Sequence, residues 1–188
     1  MAELGEERLL ALTAPPVRKL VVGYEIRQGG ALFLGPTGAG KSTGCAALGH
    51  RILQQARDRS ISEQAPKRHY AGYNAGSLIW WARANDLANA RARHELGSEA
   101  PAIIAAKHPK LLILDDLGWD LGRDGTISEV IAERYDAGKV TIATSGFRFE
   151  QLVERYGEAT IRKILESGGV KGKIVSLFPS AAKGEPCA

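Results

Sequence analysis

One run of eight residues limits what this chain can fold into more than any other. Gly35-Pro36-Thr37-Gly38-Ala39-Gly40-Lys41-Ser42 satisfies the pattern G-x-x-x-x-G-K-[ST] at every position. Glycines at this spacing let a loop wrap so that successive backbone N–H groups point inward at phosphate oxygens. A helix that begins at the end of the loop adds the positive end of its dipole. In that chemistry Lys41 reaches the β- and γ-phosphates, the Ser42 hydroxyl is a ligand of Mg²⁺, and Thr43 is a further phosphate contact. The flanks agree with this reading. Ala31-Leu32-Phe33-Leu34 before the loop reads as a buried strand. After it, Cys45, Leu48, Ile52, Leu53 and Ala56 recur at helical spacing and predict a helix from Lys41 to about Arg57. Gly35 to Thr43 is therefore the predicted ATP-binding segment, with Mg²⁺ as its companion ion.

A second segment completes such a site. Leu111-Leu112-Ile113-Leu114 is a fully apolar strand that closes on Asp115-Asp116. An acid at the end of a buried strand beside the loop can hold Mg²⁺ directly or through water, which is the role predicted for Asp115. Asp116, one residue on, is the candidate general base for an attacking water, against the plainer reading of a helix cap or surface acid. Lys139 to Ser145 brings another strand to the same edge and ends in Thr144-Ser145-Gly146. A hydroxyl there, with Ser145 the catalytic candidate, either touches the γ-phosphate and orients water or makes ordinary turn bonds to backbone. Arg162, beside Lys163, is a candidate for reaching a neighbouring subunit's γ-phosphate; the alternative is a solvated helix face.

The rest of the chain alternates strand and helix. Pro15-Pro16 are expected to break any helix in the first 28 residues. A second strand is predicted at His69 to Asn74, and residues 75–107 read as helix in two pieces broken near Gly97-Ser98, with Ser98 as a cap. A helix from about Ile127 to Ala137 has Thr126 and Glu129 at capping-box spacing and Gly138 suited to its C′ position. Helices near 149–156 and 158–167 and a last strand at Ile174 to Phe178 follow. This order predicts an α/β fold: a parallel sheet covered on both faces, with ligand at the carboxyl ends of the strands. The expected organisation is a short N-terminal extension (1–28), a nucleotide-binding core (29–180) and a tail (181–188).

Composition matters mainly for what it excludes. Of 188 residues 44% are hydrophobic and 24% charged, which suits a packed domain rather than a disordered chain. No apolar run approaches the roughly 18 residues needed to cross a bilayer, so no membrane association is expected. The two cysteines, Cys45 and Cys187, form no disulfide framework or metal cluster, and the expected setting is cytoplasmic. A net charge of +4 permits a nucleic-acid partner without requiring one.

With these residues in view, the chain resembles the helicase-loader and transposition-ATPase branch of the AAA+ family, the DnaC/IstB-like proteins. The resemblance rests on the loop at 35–42, Leu-Leu-Ile-Leu-Asp-Asp-Leu-Gly at 111–118, Ala-Thr-Ser-Gly at 143–146, and Arg-Tyr-Gly-Glu at 155–158 followed by Arg162. It covers about residues 28–180. It implies a P-loop NTPase with a five-stranded αβα sandwich and ATP-dependent assembly into homo-oligomeric rings or spirals. It also implies DNA in the central channel, single-stranded or duplex, and a replicative helicase or a transposase as partner. Several departures stand out: Gly146 occupies a position where the family usually carries Asn, which would move the sensor role to Thr144 or Ser145; Arg162-Lys163-Ile164 replaces the family's Ser/Asp-Arg-Leu context; the N-terminal extension is short for a partner-binding domain; and no helical lid is expected after the last strand.

Contact with DNA has its own candidates. Arg83, Arg91 and Arg93 follow Trp80-Trp81, and Arg57, Arg59, Lys67 and Arg68 crowd an earlier loop. Arginine among aromatics is the composition of a single-strand groove, although core packing is the favoured reading of the tryptophans. The alternatives carried beside a DNA-acting ATPase are a regulatory subunit that holds nucleotide without hydrolysing it and a small P-loop kinase. Only the loop 118–125, with Arg123, offers the kinase a lid. No Asn-Lys-x-Asp segment supports a GTPase.

Overall fold

Three runs of buried residues decide the architecture: Ala31–Leu34 (β1), Leu111–Asp115 (β3) and Val140–Ser145 (β4), each buried along its whole length. Strands buried on both faces must lie inside a sheet with helices on either side, and parallel pairing supplies those helices as crossovers. The computed structural model, which describes residues 6–24, 29–62, 78–95, 97–120 and 125–178, has this form. Its sheet has five strands in the order β2-β3-β4-β1-β5, with β2 at Ile79–Arg83 and β5 at Lys173–Ser176, and every pair is parallel. The predicted α/β, five-stranded αβα arrangement is thus the observed one.

Side-chain alternation along the strands sorts the core into two layers. Leu32, Leu34, Leu112, Leu114 and Ala143 face one way, onto Ile103, Val130, Ile131, Leu152, Ile161 and Ile164. The helices on that side are α4 (Ala84–Ala92), α5 (Pro101–Lys107), α6 (Thr126–Asp136), α7 (Phe149–Tyr156) and α8 (Glu158–Leu165). Ala31, Phe33, Leu111, Ile113 and Ile142 face the other layer, onto Leu48 and Ile52 of α3 (Lys41–Ser62) and Val17, Leu20 and Val21 of α2 (Pro15–Gly23). Emptying either layer of one leucine, as in Leu114→Ala, would cost about 2–5 kcal/mol.

Several elements differ from expectation. Pro15 and Pro16 start α2 rather than preventing a helix, because the first helical positions need no N–H. A short α1 (Glu6–Ala11) precedes it, and Val17, Val21 and Tyr24 are buried. The segment expected to be an extension therefore supplies a core helix. The stretch 79–83 is a strand, not part of a helix: Ile79 to Arg83 pair in register with Leu111 to Asp115. It runs straight into α4 at Ala84 without glycine or proline, so nothing local marks the change. The strand predicted at His69 to Asn74 lies outside the described residues. Trp80 and Trp81, expected to pack in the core, are 37% and 38% exposed on this edge strand.

The break near Gly97-Ser98 is present, but Ala100, not Ser98, precedes the next helix. Helix α6 begins after Gly125 in the left-handed region, with Thr126 as its first, fully buried residue and no side-chain cap. Glu129 pairs instead with Arg91 and Lys107. Gly138 does occupy the predicted C′ position, at φ 65°.

Below the sheet, at its amino edge, Arg134 is 1% exposed. Its guanidinium donates to the carbonyls of Ala106 (2.8 Å), Pro109 (3.0 Å) and Val140 (2.6 Å) and to the Thr141 hydroxyl (3.1 Å). One buried cation so joins α6 to the starts of β3 and β4.

Candidate functional site

The loop after β1 packs its own lysine. Lys41 is 7% exposed, and its Nζ donates to the carbonyls of Gly35 (2.8 Å) and Pro36 (2.9 Å). Burial pushes its pKa down, while the charges of Asp116 and Asp115 pull it back up. The loop bends through left-handed backbone at Gly38 (φ 82°) and Gly40 (φ 78°). Gly40 also lies under the α1–α2 turn: a Cβ there would meet the Leu12 carbonyl oxygen at 2.9 Å. Helix α3 starts at once, with Gly44 N–H donating to Gly40 (2.8 Å), so its amino end faces the loop. Gly35 N–H donates to Ser145 (3.1 Å), tying the loop to the end of β4.

Across the sheet edge, Ser42 Oγ donates to Asp115 Oδ1 at 2.8 Å, although 73 residues separate them. Asp115 is 5% exposed at the end of β3, where the strand leaves the core. The same Oδ1 accepts from Thr144 Oγ1 at 2.5 Å. A hydroxyl and a carboxylate in contact are hard oxygen donors of the kind Mg²⁺ takes. Among the described residues no group of three or more His, Cys, Asp or Glu side chains is placed to hold a metal ion. An ion here would take its remaining ligands from phosphate and water, as Mg²⁺ commonly does. The residues present therefore fit a nucleotide with Mg²⁺. Cys45, behind the loop, is a free and fully buried thiol whose pKa burial raises.

Asp116 is exposed and stands at φ 56°, the one non-glycine residue with positive φ among those described. Its N–H donates to Thr144 Oγ1 (3.1 Å). The turn beyond it is held residue by residue. Leu117 N–H donates to Thr144 (2.8 Å), and Gly118 N–H donates to the Tyr156 hydroxyl (2.9 Å). Tyr156 in turn donates to the Asp120 carboxylate, and Arg155 binds the Asp120 carbonyl. Burial and Asp120 together hold the Tyr156 phenol well above its usual range.

The end of β4 differs from one of its two expectations. Ser145 is fully buried, its hydroxyl donates to the Leu117 carbonyl (2.5 Å) and it accepts the Phe147 N–H (3.0 Å). That is the turn-bonding alternative, since the hydroxyl faces backbone. At Gly146 a Cβ would lie 3.2 Å from Trp119 Nε1. Trp119, 58% exposed, packs its ring 5.3 Å from that of Phe147, so an indole covers the place of any side chain at 146. Arg162 stands apart on α8, its side chain 65% exposed and 3.9 Å from Glu166.

The basic residues proposed for DNA separate. Arg91 is engaged by Glu99 (2.5 Å) and Glu129 (2.6 Å), whereas Arg83 and Arg93 are exposed. Lys67, Arg68, Arg123 and the side chains of Arg57 and Arg59 lie outside the described residues. Tyr156 and Arg134 are the residues whose contacts the sequence did not announce, whereas Thr144, already a candidate hydroxyl, turns to Asp115. Thr144 had the signal of standing in a strand-end Thr-Ser-Gly; a tyrosine or an arginine on a helix carries none.

Strand order, phosphate loop and strand-end acid together define a P-loop NTPase fold. Comparison with solved structures narrows its form. The chain is similar to the crystal structure of the DnaC helicase loader (TM-score 0.57, 22% identity, 86% of each chain covered). It is also similar to DnaI (TM-score 0.57, 17% identity, 96% of this chain and 86% of that one). The replication initiator DnaA bound to AMPPCP and single-stranded DNA matches at TM-score 0.59 and 19% identity, over 95% of this chain and 52% of that one. At these identities the likeness is one of fold. No protein-family model matches the sequence, and no curated protein does. Among the described residues no helix is long and apolar enough to cross a membrane.

Proposed function

We propose that this chain binds and hydrolyses ATP with Mg²⁺ and acts on DNA in replication, as a helicase loader that self-associates when ATP is bound. One observation carries the reading: the fold brings Ser42 and Asp115 into contact at the mouth of a loop that already holds Lys41. Gly35 to Thr43 would wrap the phosphates, and Lys41 would leave its two carbonyls for phosphate oxygens. Ser42 and Asp115 would hold Mg²⁺, whose chemistry is to neutralise phosphate charge as it develops. Asp116, exposed beside them, would take the proton of the attacking water. Arg162, exposed on α8, would serve a neighbouring subunit's site.

The DNA and helicase parts rest on likeness of fold to the DnaC helicase loader and to DnaA bound to single-stranded DNA. Transposition is the sister assignment. The test is steady-state hydrolysis with and without single-stranded DNA, together with the size of the particle with and without ATP. Turnover that Asp116→Asn abolishes, and growth in size on ATP, are expected. A wild type that stays monomeric and turns over nothing would overturn the proposal. A second reading, a cytoplasmic subunit that holds nucleotide without cleaving it, is favoured by one feature. Gly146 has no side chain and Ser145 faces inward, so neither presents a polar group at the end of β4.

A further inference from the structure

We infer that Trp119 is a terminal-phosphate contact of the nucleotide site, its indole N–H donating to the γ-phosphate and so distinguishing ATP from ADP. The inference rests on the reading of Gly35 to Thr43 as the phosphate loop given under Proposed function.

Trp119 is 58% exposed, yet its position is fixed. Its backbone N–H donates to the Asp116 carbonyl (3.2 Å), closing the turn that follows β3. Its ring packs against Phe147 at 5.3 Å between centroids, inclined by 55°. Two glycines make room for this pair. A Cβ on Gly118 would meet Phe147 Cδ2 at 2.5 Å, and one on Gly146 would meet Trp119 Nε1 at 3.2 Å. The polar edge of the indole therefore lies over Gly146. An indole nitrogen donates and never accepts. No described residue accepts from this one.

Strand register sets where that nitrogen lies. β1 pairs with β4 as far as Leu34 with Ser145, so Gly146 stands one residue beyond that pair, beside Gly35 at the start of the loop. The Gly35 N–H bond to Ser145 (3.1 Å) holds the alignment. The Gly35 carbonyl is in turn one of the two on which Lys41 Nζ rests, at 2.8 Å. In a phosphate loop this lysine reaches the β- and γ-phosphates. The ammonium from α3 and the indole N–H from the turn after β3 thus border the same mouth of the loop. Ser145 faces inward and Gly146 has no side chain, so at this corner the donor for the outermost phosphate comes from Trp119. Hydrogen bonds to a charged acceptor such as phosphate are of the strong kind. A ring left exposed to stack on a base or an apolar partner would gain nothing from having its nitrogen here, whereas the donor role requires it.

The test measures affinity for AMPPCP and for ADP, both with Mg²⁺, by calorimetry in wild type, Trp119→Phe and Trp119→Ala. Phenylalanine keeps an aromatic ring against Phe147 and loses the N–H. Both variants should weaken AMPPCP about tenfold and leave ADP within about twofold, the scale of one hydrogen bond to a charged group. A second readout uses a Trp80→Phe/Trp81→Phe background, in which Trp119 is the one tryptophan left of three. Its emission should respond to AMPPCP and not to ADP. A Trp119→Phe variant that binds AMPPCP as wild type does overturns the inference. So does an equal loss for both nucleotides, or an emission response to ADP that matches the response to AMPPCP. If wild type binds neither nucleotide, the reading of the phosphate loop fails first, and the inference with it.

Discussion

Asp116 offers a way to separate what the backbone does from what the side chain does. At φ 56° it sits in the left-handed region, which costs an L-residue roughly 1–2 kcal/mol, with aspartate at the low end because its short polar side chain bonds locally. Glycine has no such cost there but adds about 0.4–1 kcal/mol of freedom to the unfolded chain. The side chain is exposed, so its removal empties no core, and the amide bond to Thr144 survives substitution. Asp116→Gly should accordingly be close to wild type in stability, within about 1 kcal/mol either way. Asp116→Ala keeps the strain without the polar compensation and should lie about 1 kcal/mol below the glycine variant. For a chain of this length that is a difference of roughly 2–4 °C in Tm. Thermal unfolding monitored by circular dichroism without nucleotide reads the difference, and turnover of ATP is assayed beside it. Both variants should bind Mg-ATP and hydrolyse none. Equal Tm values for glycine and alanine would refute the backbone part; turnover surviving in either would refute the role as base.

Three other outcomes follow from separate parts of the structure. Arg134→Met leaves buried carbonyls and the Thr141 hydroxyl without this donor, at about 1–3 kcal/mol for each group left unsatisfied, and should destabilise the protein strongly in denaturant titration, or prevent folding. Any folded fraction should keep nucleotide affinity, since the residue lies at the opposite edge of the sheet. Glu129, hydrogen-bonded by Arg91, has its pKa held down to about 2 from 4.5, so its contribution is complete above about pH 4.5 and is lost as pH falls towards 2. The carboxylate is 43% exposed and the network is screened, so Glu129→Gln should cost under about 1 kcal/mol at pH 7 and flatten the fall of Tm between pH 5 and 2. Tyr156→Phe removes the acceptor of the Gly118 N–H and the donor to Asp120. It should lower kcat more than it weakens binding of AMPPCP, measured on the same preparation.

The parts of the fold that were legible are those where local chemistry and tertiary role coincide. β1, β3 and β4 are apolar along their length because both faces are buried, and Gly35 to Ser42 is distinctive because a turn through left-handed backbone at Gly38 and Gly40 takes glycine. Gly138 marks a helix end for the same local reason. β2 was hidden because Ile79 to Arg83 is a strand only through pairing with β3, and Ala84 continues it as helix without a break. Pro15-Pro16 can stop a helix or start one, and the sign depends on whether Val17 and Val21 find a core. At the site, the acids were legible by position, whereas the choice between the two roles of Ser145 required knowing that the Leu117 carbonyl lies within reach. Arg134 reads as a surface helix residue until the carbonyls gathered around it are known.

Whether the loop around Lys41 is a triphosphate site is decided by titration calorimetry of purified protein with Mg-ATP. Wild type should bind one ATP per chain. Lys41→Ala, which removes a charged donor now resting on the carbonyls of Gly35 and Pro36, should weaken binding by roughly 10–100-fold. Wild-type protein that takes up no ATP in the presence of Mg²⁺, or a Lys41→Ala variant that binds as tightly as wild type, would contradict it.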